Sequence, residues 1–244
     1  MQHVPNLIVD VGMSEGDDTA FYLAKGFDVV GVEADPTLQV HLGRRFAAEI
    51  SAGRLRLLHR AVAARGGEWK PFRHDPEQQG HSALLAGASA VQGDVFDVFT
   101  IDWLELREVA GVPYYMKLDV EGGEAAFLSS MTVGGALPPF LSSEAANFAP
   151  IRRMHELGYR HFRLINHEIL SRVAMPDPPL EGVFVPRPPP QHWSGPFGRE
   201  IPGTRWFDFD EIRAIYDDMH RLWELQTLIT GWLDCHAARP EALA

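Results

Sequence analysis

Residues 7–19 read Leu7-Ile8-Val9-Asp10-Val11-Gly12-Met13-Ser14-Glu15-Gly16-Asp17-Asp18-Thr19. The first five form an apolar run carrying one acid, as expected of a central parallel strand buried on both faces. The two glycines mark the turn from strand to helix. Asp17 or Asp18 is expected to cap a short helix over 19–25, which Gly26 ends. Working outward, 28–32 reads as a second strand with Glu33 at its carboxyl end. Pro36 opens a helix over 37–52, and 54–59 is a third strand. This βαβαβ run predicts a doubly wound, mostly parallel, Rossmann-like α/β sheet.

The rest of the chain extends the pattern. Strands are expected at 68–72, 98–100, 114–119, 140–144 and 159–165, and helices at 101–109, from Gly122-Gly123 to 129, and at 151–157. The apolar run 182–185, inside a proline-dense stretch, reads as a last sheet strand. Residues 74–90 are polar and rich in Gly and Ala, the composition of an active-site loop. We divide the chain into a domain over 1–190 and a C-terminal extension over 191–244. The extension has a loop carrying Trp193, Phe197, Trp206 and Phe207, whose rings would either pack it onto the core or stack on a sugar. Its helix aligns Ile212, Ile215, Tyr216, Met219, Leu222, Trp223 and Ile229. That stripe would cover either its own sheet or a second copy of the chain in a homodimer.

Composition narrows the function. The 244 residues are 45% hydrophobic and 23% charged, with a formal net charge of −11. An acidic chain without a Lys/Arg tract lacks the footprint of a nucleic-acid or anionic-membrane binder. The single cysteine, Cys235, excludes an internal disulfide and cysteine-based zinc frameworks. No apolar run approaches the ~18 residues of a membrane span, and the first strand has no charged signal-type flank, so a cytoplasmic location is expected.

The glycine loop has the spacing G-x-x-x-G, not the G-x-G-x-x-G of dinucleotide binders. Asp10, Glu15, Asp17 and Asp18 would repel a pyrophosphate there but suit a ligand bearing positive charge. An ordinary glycine turn with capping acids would need the same residues. Glu33 stands about 20 residues beyond the loop, where an acid accepts hydrogen bonds from ribose hydroxyls; a solvated strand-end carboxylate is the alternative. A ribose, no phosphate and a cationic portion together describe S-adenosylmethionine.

Five motifs in order carry a family resemblance. They are Asp10-x-Gly12-x-x-x-Gly16-x-x-Thr19, Val30-Gly31-Val32-Glu33-Ala34-Asp35-Pro36, Gly80-His81-Ser82-Ala83-Leu84, Thr100-Ile101-Asp102 and Lys117-Leu118-Asp119-Val120-Glu121-Gly122-Gly123-Glu124. Over roughly residues 5 to 165 the chain resembles the FkbM-type S-adenosylmethionine-dependent methyltransferases. Ser14 and Ala34 depart from the residues usual in that family, Asn and Pro. The resemblance implies a class I methyltransferase fold and methyl transfer to a hydroxyl oxygen, often of a sugar or natural product. The cofactor-binding set is Asp10, Gly12, Ser14, Glu15, Gly16 and Thr19 from the loop, Glu33, Ala34 and Asp35 from the second strand, with Ala61, Ser82 and Asp119.

Methyl transfer from a sulfonium is an in-line displacement, so an enzyme must align the acceptor and remove its proton. Asp119 and Glu121 are candidates to act on the acceptor. Lys117 would keep Asp119 ionised or meet a developing alkoxide, and a buried pair that only fixes the strand end is the alternative. His81 is the candidate histidine base, or a loop histidine in water. Glu144 either lines the acceptor pocket or is a surface acid. Histidine metal spacings are absent and no metal is assigned, although Asp119 and Glu121 leave Mg²⁺ open. The expected partner is a small-molecule or glycan acceptor. Two rival functions are an NAD-dependent oxidoreductase or epimerase, which the glycine spacing and acidic loop oppose, and a non-catalytic binding module.

Overall fold

The computed structural model describes residues 3–75, 82–85, 94–170, 173–186, 194–203, 205–225 and 232–243. Its main sheet joins β1 (Val4–Val11), β2 (Asp28–Glu33), β3 (Leu55–His59), β8 (Pro113–Leu118), β9 (Phe140–Glu144), β10 (His161–Asn166) and β11 (Leu233–Ala238). Their order is β10-β11-β9-β8-β1-β2-β3. Only β11 runs antiparallel to its neighbours. Between β3 and β8 the chain builds a smaller sheet from β4 (Ala61–Val62), β5 (Trp69–His74), β6 (Ala83–Leu84) and β7 (Asp94–Ile101), in the order β4-β7-β5-β6.

Strand alternation splits the side chains of the main sheet between two faces. Val9, Val11, Met116, Leu118, Leu141, Cys235 and Ala237 face α4 (Trp103–Ala110), α5 (Glu124–Ser129), α6 (Ala149–Leu157) and α8 (Phe209–Glu224). On the opposite face Ile8, Val29 and Tyr115 pack under α1 (Asp17–Ala24) and α2 (Gln39–Arg45). The doubly wound α/β expectation therefore holds. No helix of the described residues is long and apolar enough to cross a membrane.

Several local expectations change. The helix over 37–52 is two helices, α2 and α3 (Ala47–Ser51), separated at Phe46. That residue leaves helical geometry (φ −110°, ψ 24°) and buries its ring against Gly16, where a Cβ would lie 2.5 Å from it. Neither Asp17 nor Asp18 caps α1, whose cap position is Gly16 with no side-chain bond. Residues 182–185 are not a strand. Val183 instead gives its N–H to the carbonyl of Lys25 and takes the Lys25 ammonium on its own carbonyl, and flanking prolines deny the run a ladder. The last strand is β11, from beyond residue 190, which lies inside the sheet between β9 and β10 rather than outside it.

The tail aromatics pack. Phe197 is fully buried among Tyr22, Phe27 and Tyr115. Phe207 pairs its backbone with Phe162, and Trp206 sits under the guanidinium of Arg163. Trp193 lies outside the described residues. In α8, Ile212, Ile215, Tyr216 and Met219 cover the chain's own sheet, whereas Leu222 and Trp223 at its end stay exposed. Ile229 lies outside the described residues.

Candidate functional site

The carboxyl edge of the sheet collects most of the residues singled out above. At the end of β1, Gly12 adopts φ 77° and passes so close to β8 that an added Cβ would lie 1.7 Å from the Asp119 carbonyl oxygen. No other residue fits there. Ser14, also left-handed at φ 49°, gives its N–H to Glu33 Oε2 at 2.8 Å, and Asp35 N–H reaches Glu33 Oε1 at 2.8 Å. Each oxygen of Glu33 is thus held by a backbone N–H, and the Ala34 N–H adds to them. Burial pushes the Glu33 carboxyl up to about 7, against the pull of those three backbone bonds. Glu15 is exposed and lends its carbonyl to Arg45, while Gly16 is buried.

Below the loop lies a buried charge cluster, and the ladder explains it. Asp10 stands directly opposite Lys117 in the β1–β8 pairing, on the α1 face. The Lys117 ammonium lies 3.1 Å from Asp18, 3.3 Å from Asp119 and 3.9 Å from Asp10. Thr19 donates to Asp10 Oδ2 at 2.6 Å, and Asp10 Oδ1 is buried with no hydrogen-bond partner. Burial raises the Asp10 carboxyl to about 6 although Lys117 opposes it, and burial likewise raises Asp119. Lys117 stays charged, because the surrounding acids outweigh its burial. Asp18, expected to be a helix cap, also takes the backbone N–H of Ser194 at 2.9 Å, so it ties the C-terminal segment to this cluster.

Beside Glu33, Ala34 packs with Ala61, Phe72, Val98 and Leu84 in a small apolar group between the two sheets. Asp35 is buried and holds Thr37 and, at 2.6 Å, His74 Nδ1. Ser82 Oγ accepts the N–H of Asp75 at 3.0 Å. His81 lies outside the described residues.

Beyond β8 the acids continue. Glu121 is exposed in a left-handed turn at φ 55°, and Glu124 is the buried partner, its Oε1 accepting the N–H groups of Val120 and Gly122. Carboxylate oxygens of Asp119, Glu124 and Glu144 lie within 4.8 Å of one another, a grouping that could hold a divalent cation. Burial and their mutual repulsion raise Glu121 to about 7 and Glu144 to about 8. Glu124 stood in the Lys117–Glu124 motif without a role of its own, and His167 and Asp234, which meet at the same edge, were not singled out in the sequence. An acid immediately before the cysteine in a short Leu-Asp-Cys-His-Ala-Ala alternation was the available signal for Asp234.

No curated protein matches the chain. Among solved structures, the methyltransferase FkbM from Methylobacillus flagellatus KT aligns with 18% identity and a TM-score of 0.39, covering 62% of this chain and 36% of that one. The chain thus spans 36% of that relative's length. A precorrin-6y C5,15-methyltransferase from Geobacter metallireducens GS-15 aligns with 8% identity and a TM-score of 0.41, covering 98% and 82%. The methyltransferase FkbM domain model matches residues 10–160, the span that holds the glycine loop, Glu33 and the Lys117–Glu124 element. The chain belongs to the FkbM methyltransferase domain family.

Proposed function

We propose that the chain is an S-adenosylmethionine-dependent methyltransferase acting on a hydroxyl oxygen of a sugar or natural-product small molecule. One observation carries the cofactor: three carboxylates, Asp10, Asp18 and Asp119, surround a single ammonium, Lys117, directly under a glycine loop that only backbone can line. That surplus of buried negative charge, with Asp10 Oδ1 accepting no hydrogen bond, fits a ligand with ammonium and sulfonium groups and opposes a pyrophosphate.

The remaining parts fit the same ligand. Glu33, its carboxylate fixed by backbone N–H groups, is placed to accept from ribose hydroxyls, and the apolar group around Ala34 and Ala61 offers a surface for a purine. When bound, S-adenosylmethionine supplies an electrophilic methyl group on sulfur. The protein's own work is to position and to manage protons. Lys117 is shared among three acids, so its role is to keep Asp119 ionised rather than to meet an alkoxide. Asp119, partly exposed at the strand end, orients the acceptor hydroxyl. The acids Glu121, Glu124 and Glu144 give the acceptor side a lining of carboxyl groups that accept or, when protonated, donate hydrogen bonds, which suits a polyhydroxylated molecule and not a nucleic acid.

Calorimetry with S-adenosylhomocysteine tests the reading. Glu33→Ala removes two charge-assisted bonds and is expected to weaken binding by about 2–3 kcal/mol. An unchanged dissociation constant would remove Glu33 from the cofactor site.

A further inference from the structure

The strand order sets an order of chemistry along the carboxyl edge. Glu33 ends β2, Gly12 follows β1 and Asp119 follows β8, so the proposed cofactor crosses three adjacent strands. The strands next in that direction are β9, β11 and β10. An acceptor beyond the methyl group therefore meets their ends. Two buried groups with no part in the mechanism above meet there. His167 immediately follows β10, Asp234 lies in β11 opposite Glu144, and His167 Nε2 is 3.1 Å from Asp234 Oδ2. Their side chains are only 6% and 3% exposed. Apart from that Nε2 contact with Asp234, His167 has no partner on Nδ1, and Asp234 Oδ1 has none either. The Trp232 ring lies against the imidazole, 4.7 Å between centroids.

Buried polar atoms without partners are rare in native proteins and call for a reason. A carboxylate against one nitrogen of a histidine, with the other nitrogen unspent, is the arrangement that orients an imidazole and stabilises its cation. We propose that His167 is the base that removes the acceptor's hydroxyl proton, with Asp234 holding the ring and pairing with the imidazolium. This rests on the hydroxyl-methylation reading. The proton passes from the acceptor O–H to His167. The oxygen's electron pair forms the new O–C bond, while the pair of the broken S–C bond stays on sulfur. Positive charge thus leaves sulfur and appears on the imidazole, beside Asp234.

Among the described residues, the charged or titratable groups facing His167 are Asp234 and His236 from β11, Asp119 from the end of β8 and Asp18 from α1. Burial pushes the imidazole down, but Asp234 outweighs it and the net shift is upward. His236, held down at about 4 by burial, stays neutral and does not compete. A base works deprotonated, so the rate falls as pH drops through a midpoint above the ordinary histidine value of about 6.5.

The test uses His167→Gln and Asp234→Asn in the full chain. Ring resonances of the S-adenosylhomocysteine-saturated protein are titrated by NMR, which needs no acceptor. His167 is expected to titrate above 6.5 and to shift down in Asp234→Asn. Single-turnover rates are then followed across pH with a phenol, a catechol, a glycoside, an amine and a thiol as acceptors. His167→Gln should keep S-adenosylhomocysteine affinity within about twofold, lose about 10²–10⁴-fold in rate and lose the acid limb. An imidazole that does not titrate between pH 5 and 9, a retained acid limb, or a tenfold loss of S-adenosylhomocysteine affinity would each overturn the proposal. Transfer to the amine or thiol alone would sink the hydroxyl reading, and the acid limb with that acceptor would still decide whether His167 is the base.

Discussion

Toward the carboxyl edge, the two faces of the main sheet differ in character over the same strands. On the side of α4, α5, α6 and α8, the inward residues are apolar and buried, from Val9 through Met116 and Leu141 to Cys235. On the α1 side, one row of ladder partners reads Asp10, Lys117, Ser142, His236 and Arg163 across five strands. A one-residue step along each strand separates a hydrocarbon layer from a charged one. Burying charge costs several kcal/mol per ion unless it is paired, and pairing here is incomplete. The α1 face keeps an apolar cluster around Ile8, Val29 and Tyr115 but gives up part of its burial to that charged row, so the α4 side is the more uniformly apolar of the two.

The largest expected effect breaks the polar face outright. Gly12→Val places a side chain into the Asp119 carbonyl at a left-handed φ, and is expected to abolish S-adenosylhomocysteine binding while the apolar face keeps the fold. Normal binding by that variant would make the loop an ordinary turn.

Next comes Asp119→Asn, which keeps the shape and removes the charge. If Asp119 orients the acceptor, turnover should fall by about 10²–10⁴-fold with cofactor affinity largely retained. A role confined to cofactor binding would reverse this split, weakening S-adenosylhomocysteine in calorimetry and leaving saturated turnover nearly intact.

The opposite face supplies the control. Leu118, between Lys117 and Asp119 in sequence, points away from them into the core. Leu118→Ala should cost about 2–5 kcal/mol in denaturant unfolding and leave S-adenosylhomocysteine affinity nearly unchanged. A large affinity loss without a stability loss would mean that the faces do not divide the work.

The same division explains what the sequence disclosed. The run Leu7 to Val11 and the glycines after it are local signals, since a doubly buried parallel strand is apolar throughout and a left-handed turn selects glycine. The Lys117–Asp119 contact was legible from strand alternation alone. Asp18 was not, because an acid in the first turn of a helix looks the same whether it caps or reaches Lys117. β11 was missed because Leu-Asp-Cys-His-Ala-Ala has no β-branched or aromatic residue and owes its strand to burial between β9 and β10. Residues 182–185 misled for the converse reason, being β-prone but hemmed by proline. His81 lies outside the described residues, and the base inferred instead, His167, becomes visible only when β10 and β11 are brought side by side.

The buried acidic surplus around Lys117 is proposed to receive a cationic cofactor. Without one, burial holds Asp10 at about 6 and Glu33 at about 7, both above their ordinary values. Raised carboxyl pKa values mean that the folded state binds more protons than the unfolded one between about pH 4 and 7, so these groups lower stability as pH rises through that window. A ligand bringing ammonium, sulfonium and ribose donors favours the ionised carboxylates and expels their protons. Calorimetry of S-adenosylmethionine binding at pH 6, in buffers of differing ionisation enthalpy, counts those protons directly. Release of between about one and two protons per cofactor at pH 6, falling toward zero near pH 7.5 and turning to uptake above about pH 8, where the free cofactor's amino group is neutral, is the expected result; binding at pH 6 with no proton release, or with proton uptake, would contradict it.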